Sequence, residues 1–347
     1  MKNITKLSTV ALSLLLCTAC AASNTSTSKT QSHHPKQTKL TDKQKEEPKN
    51  KEAADQEMHP QGAVDLTKYK AKPVKDHGKK IDVGDGKKMN IYETGQGKIP
   101  IVFIPGQAEI SPRYAYKNLI ERLSKKYKIY TVEPLGYGLS DIPTKPRTLE
   151  NITKEIHTGL NKIGVKNFYL AAHSLGGMYS LNYAKNYAKN YPEEVRGFIG
   201  MDTSTPWMEG EQKTKYDPES AKWAMKLPDV DDKTNEQYLS IAKKINGNKS
   251  QRDEDERLGD NLGKLKNVKF PKGMPTKYFL ADQSVEGIKL RQADFKGLKN
   301  WDQQHIDLSE DPKDASVEIL KGSHNIFQTQ YEHMAKAIDG FIQSHQK

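Results

Sequence analysis

The chain has 347 residues, of which 35% are apolar and 29% charged, and carries a formal net charge of +11. That length suffices for one large α/β domain with a sizeable core or for two small ones, while sparse apolar content with high charge points to an unfolded portion. Its only cysteines are Cys17 and Cys20, which excludes a disulfide framework, a thiol nucleophile and a cysteine metal site from everything that follows them.

In chain order, "MKNITK" is a short basic stretch and "LSTVALSLLLCTAC" an apolar run too short for a permanent membrane span. Small residues, Thr18 and Ala19, precede Cys20. The pattern resembles a bacterial lipoprotein signal, with Cys17 where an aliphatic residue is usual. The resemblance implies a signal peptide at residues 1–19 and a lipid anchor, palmitate included, on Cys20. The mature protein would then sit on the extracellular face of the cell membrane. An ordinary cleaved signal releasing a soluble protein is the alternative.

Residues 20–75 are rich in Ser, Thr, Lys, Gln and Pro and lack apolar periodicity, which predicts a disordered basic tether. Residues 21–80 hold 13 Lys against 8 Asp and Glu; with Lys2 and Lys6 they carry +7 of the +11, leaving +4 for residues 81–347. The basic excess therefore suits an anionic membrane or wall surface and makes no case for nucleic acid. Some 55 flexible residues would hold a domain roughly 40 Å from its anchor on average. The pair His33-His34 reads as polar linker.

From residue 76 onward strand-like and helix-like segments alternate. "KIDVG" and "MNIYETG" predict two strands around the turn "DGKK", and "IPIVFIPG" a buried strand stopped by Pro105-Gly106. A helix follows, with Ser111 as N-cap ahead of Pro112, and then the strand "KIYTVEPLG". Thr148 opens and Gly164 closes the next helix. "NFYLAAH" is a strand, with a helix from Ser174 through Tyr191 behind it; that helix carries Tyr183, Tyr187 and Tyr191 on one stripe. "VRGFIGMD", "PTKYFLA" and "SVEILKG" are further strands, and a helix from about Asn325 to Ser344 ends the chain. Such alternation implies βαβ units and a mostly parallel sheet flanked by helices. The charged stretch 204–272 has no strand signal and predicts an inserted helical cap. Its Trp207, Met208, Trp223, Met225 and Tyr238 would pack locally, and "RDEDER" (Arg252–Arg257) would form a solvated helix face. The folded part thus divides into a core at 76–203, the cap at 204–272 and the rest of the core at 273–347.

"LAAHSLGGM", Leu170–Met178, sets Ser174 between an apolar strand and a helix. A turn that sharp needs small neighbours two residues either side, which Ala172 and Gly176 provide. In this context the segment resembles the nucleophile turn of the α/β-hydrolase family, and the likeness extends from about Lys80 to the end of the chain. The resemblance implies the α/β-hydrolase fold with nucleophile, acid and histidine in that chain order. A hydroxyl needs a base to become a nucleophile, and His324 in "ILKGSHNIF" stands beyond the last strand, where the family has it. Backbone N–H groups of Leu175 and Gln107 would form the oxyanion hole. The family's usual acid position falls on Ser284 of "ADQSVEG"; the acid is then Asp202, which follows "FIGM" as in one branch of the family, or alternatively Asp282. Glu133 and Leu135 replace residues common in the family after the next strand.

These residues lead to the expectation of a cell-surface serine hydrolase that cleaves carboxylic esters through an acyl-enzyme, without metal or organic cofactor. An amide or peptide hydrolase or an acyltransferase would use the same triad. A non-catalytic binding lipoprotein would keep only the fold.

Overall fold

A computed structural model of the protein describes residues 62–188, 194–208 and 216–346. Among them, eight strands form one sheet: β1 (Lys79–Asp82), β2 (Lys88–Thr94), β3 (Pro100–Ile104), β4 (Lys128–Glu133), β5 (Phe168–His173), β6 (Val195–Met201), β7 (Thr276–Ala281) and β8 (Ala315–Leu320). Their spatial order is β8-β7-β6-β5-β3-β4-β2-β1. β1 and β2 run antiparallel to their neighbours and all other pairs are parallel. Each predicted strand is present.

The apolar runs explain the burial. Ile101 and Phe103 of β3 face one core with Tyr169 and Ala171 of β5, while Val102, Ile104, Leu170 and Ala172 face the other. A parallel strand covered on both sides needs apolar residues at every position. One face is covered by α3 (Leu149–Lys162) and α4 (Gly176–Tyr187). Against the other lie α1 (Pro112–Ala115), α2 (Lys117–Leu123) and α10 (Tyr331–Ser344).

Three local readings change. Pro112 does start a helix, but Ser111 makes no side-chain cap; its hydroxyl donates to Glu133 Oε1 at 3.0 Å. The helix also breaks at Tyr116 into α1 and α2. The last predicted helix begins as a separate 3₁₀ turn at Ile326–Gln328 before α10. Thr148 caps α3 as expected, accepting from Asn151 N at 3.3 Å, and Gly164 follows its end with a φ of +71°. Tyr183 and Tyr187 share their predicted stripe, with Tyr187 stacked on His157 at 3.7 Å; Tyr191 lies outside the described residues.

The inserted region holds α5 (Asp232–Ile245), α6 (Lys249–Glu256) and α7 (Leu258–Gly263), and, against the expectation of a region without strands, a short strand at Trp223–Met225 in a separate two-stranded sheet. The RDEDER run is not a solvated face. Asp253 accepts from Arg147 N at 2.5 Å, and Glu254 is fully buried beneath the hydroxyls of Tyr137 (2.7 Å) and Tyr179. Asp255 accepts from Gln107 Nε2 at 2.6 Å. Three consecutive carboxyls are therefore spent on seating the cap, because the core loops it covers expose donors that need acceptors. Among the described residues no group of three or more His, Cys, Asp or Glu is placed to hold a metal ion.

The folded unit also begins before residue 76. Leu66 is buried, Lys72 N donates to Ser240 Oγ at 3.0 Å and Lys75 N to Gln237 Oε1 at 2.7 Å, while Gln237 Nε2 donates to Pro73 O at 3.0 Å. Residues 64–75, assigned to the tether by their composition, are a strap laid along α5. Backbone groups carry this contact, so polar composition conceals it. A second addition lies between β7 and β8, where α8 (Asp282–Arg291) and α9 (Trp301–Ile306) were not anticipated.

Candidate active site

Ser174 follows β5 and precedes α4 with a φ of +50°, a left-handed conformation costly for any residue with a side chain. The space around it permits only small neighbours. A Cβ on Gly176 would stand 2.5 Å from Pro105 O and 2.6 Å from Ile104 O. One on Gly106 would stand 2.9 Å from His173 Nδ1 and 3.0 Å from Ser174 Cβ. Ala172 needs no such freedom: it pairs in register with Ile104 on one side and Gly200 on the other, as an ordinary strand residue. The turn is held by Ser174 O, which accepts from Gly177 N at 3.0 Å and Ser204 N at 2.9 Å.

Of the two candidate acids, the fold brings Asp202 to the histidine. Asp202 follows β6 with a φ of +45° and is fully buried. Its Oδ2 lies 2.7 Å from His324 Nδ1 and accepts from Ser284 Oγ at 2.5 Å. Its Oδ1 accepts from Ala281 N at 3.1 Å and Trp301 Nε1 at 3.2 Å. Four donors on two oxygens saturate an ionised carboxylate. Burial alone would raise its pKa, but the hydrogen bond and charge of His324, with Ser284 and Ala281, hold it below the ordinary aspartate value. That bonding makes His324 Nδ1 the protonated nitrogen and leaves Nε2 as the basic one. Asp282 instead holds the loop after β8, accepting from Gly322 N at 2.9 Å. Ser284 stands where the resemblance implied an acid, and it supplies a hydroxyl to the acid that replaces it.

No hydrogen bond joins Ser174 Oγ to His324 among the described residues; such contacts are often formed only with substrate in place. His173, beside the serine, is buried and turned the other way: its Nε2 lies 3.2 Å from His324 O and its ring packs on Phe327 at 4.8 Å. Burial, and then the neighbouring His324, push His173 well below the ordinary histidine pKa, so it stays neutral and donates to that carbonyl. The N–H groups of Gln107, in the loop after β3, and of Leu175, at the start of α4, make no hydrogen bond among the described residues. Cys20 lies outside the described residues.

Residue-by-residue reading missed Trp301, which comes from the unanticipated helix α9 and reaches Asp202 through its indole N–H. Glu133, noted as a replacement, proves structural. Fully buried, it takes hydrogen bonds from Ser111 Oγ, Asn90 Nδ2 and Leu139 N and lies 3.1 Å from His77 Nε2.

Comparison with known proteins bears on the fold. Over 134 residues the chain is 35% identical to the uncharacterized protein YbdG of Bacillus subtilis (strain 168), a match covering 38% of this chain and 40% of that one. Over 111 residues it is 30% identical to a haloalkane dehalogenase of Agrobacterium fabrum (strain C58 / ATCC 33970), covering 32% and 34% of the two. The chain thus spans well under half the length of these curated relatives. A Vigna radiata epoxide hydrolase mutant superposes with a TM-score of 0.59 at 15% identity, over 77% of this chain and 98% of that one. The family model described as alpha/beta hydrolase fold matches residues 99–286, the stretch that contains Ser174, Asp202 and the whole cap. With its sheet order and more than half its length matched, the chain belongs to the α/β-hydrolase fold family.

Proposed function

We propose that the protein is a serine hydrolase that cleaves carboxylic esters, with Ser174 as nucleophile, His324 as base and then acid, and Asp202 as the carboxylate that orients the imidazole. The observation that carries this is the buried, saturated Asp202 held 2.7 Å from His324 on the same sheet edge as the strained Ser174. His324 Nε2 takes the hydroxyl proton as Ser174 Oγ attacks the acyl carbonyl, and Asp202 stabilises the imidazolium that results. The N–H groups of Gln107 and Leu175 receive the oxyanion. The alcohol leaves with a proton from His324, and water then releases the acyl group from Ser174 by the same steps in reverse.

A serine at residue 174 favours acyl chemistry over halide displacement or epoxide opening, whose family members use an aspartate nucleophile at this position. On the same reading no metal or organic cofactor takes part, and the protein acts on the outer face of the membrane, anchored through Cys20. A fluorophosphonate probe tests the assignment. It should label the wild type at Ser174 and leave Ser174→Ala unlabelled; equal labelling of both, or of neither, rules the serine hydrolase out.

A further inference from the structure

Three consecutive residues of the loop after β3 are tied to the cap, each by a different group. Gln107 Nε2 donates to Asp255 Oδ1 at 2.6 Å. Ala108, held at a φ of +56°, donates its N–H to Tyr137 Oη at 3.2 Å, and that hydroxyl donates in turn to Glu254 Oε1 at 2.7 Å. Glu109 Oε1 accepts from Tyr238 Oη at 3.2 Å. Asp255, Glu254 and Tyr238 belong to α6 and α5; within the loop itself Glu109 N donates to Gly106 O at 3.3 Å and the Glu109 carboxyl accepts from the backbone of Ile110 and Ser111. A left-handed alanine persists only where its surroundings over-determine it, and here the cap adds contacts on both sides of it and, through Tyr137, behind it.

Resting on the assignment of Gln107 to the oxyanion hole, we propose that the cap sets that hole: Asp255 and Tyr238 are positioning residues that hold loop 107–109 so that the Gln107 N–H faces the oxyanion. A cap seated this way does more than shape a substrate pocket, because its displacement would also turn a donor away from the transition state. Charge is consistent with such a role. Burial pushes both Asp255 and Glu109 up to about 7, so below neutral pH they are largely protonated and add little negative charge beside the hole.

The test uses the full-length protein with Asp255→Ala, Gln107→Ala and Tyr238→Phe, and with Asp255→Asn as the conservative variant that keeps an acceptor oxygen for Gln107. Three quantities are read: the rate of Ser174 phosphonylation by a fluorophosphonate, kcat and KM for a p-nitrophenyl ester, and hydrogen exchange of the Ala108 amide. Asp255→Ala and Gln107→Ala should slow phosphonylation and kcat about tenfold, since small misplacements of catalytic groups cost that much or more. KM should stay within about twofold, and Ala108 should exchange faster. Asp255→Asn should restore all three. Wild-type rates and exchange in Asp255→Ala, or an Asn variant as impaired as the Ala one, overturn the proposal. If Asp255→Ala does not fold, Gln107→Ala, which cuts the same bond from the loop side, decides it. Should the wild type fail to react with the probe, the hydrolase assignment falls, and exchange at Ala108 still accepts or rejects the coupling of cap to loop.

Discussion

Asp202 shows how one residue's surroundings favour an assignment that its neighbours in sequence leave open. Asp282 is at the end of the strand that more often carries the family's acid, but its carboxylate is spent on Gly322 N, whereas Asp202 gathers four donors including His324. Asp202→Asn should therefore lower kcat for ester hydrolysis on the order of 10³- to 10⁴-fold, because the amide both favours the wrong imidazole tautomer and meets donors with a donor. Asp282→Asn should stay within a few-fold of wild type, roughly the effect of one weakened peripheral hydrogen bond. The reverse ranking in steady-state kinetics would exchange their roles. The same bonds link Asp202 to stability. Its pKa is lower folded than unfolded, so its contribution is fully present above the unfolded value and is lost as pH falls through the folded one.

At the scale of elements, the cap and the strap behave as parts of the core. Arg147, itself buried, pairs with Glu155 through two bonds of 2.8 Å, and the loop it belongs to is bound by α6 and α7 through Asp253 and Asn261. Pairing does not outweigh burial for every acid in the cap interface. Glu109 retains some exposed surface, yet protein surrounds its carboxyl closely enough for burial to hold it at about 7, with Tyr238 opposing the shift only partly. The sign is opposite to that of Asp202. A carboxyl raised in the folded state stabilises less and less as pH climbs from the unfolded value of about 4 to the folded one, since the native protein then binds more protons than the unfolded chain. Glu109→Gln keeps an acceptor for Tyr238 and removes this liability. Its Tm should exceed the wild type's at pH 8 and match it near pH 4 in thermal melts; an equal difference at both would show that Glu109 is not raised.

For the whole molecule, the basic excess in residues 21–80 and the apolar leader before Cys20 motivate a lipid anchor carrying the hydrolase on a tether. Residues 64–75 lie along α5, so the proposed tether would not include them. Cys20→Ser should move the protein from the membrane pellet to the soluble fraction on cell fractionation, and an unchanged partition would rule out the anchor. By itself the sequence determined what short-range pattern can encode: the apolar strands, the small-residue turn at Ser174, and His324 at the close of the last strand. Those features depend on neighbours a few positions away, where strand burial and tight turns restrict residue type directly. Tertiary structure alone decided the rest. Asp202 meets Ser284 and Trp301 from 82 and 99 positions along the chain, and Asp255 meets Gln107 across 148. A carboxyl in RDEDER looks the same in sequence whether it faces water or a buried tyrosine, because the donor that distinguishes the two arrives from elsewhere in the chain.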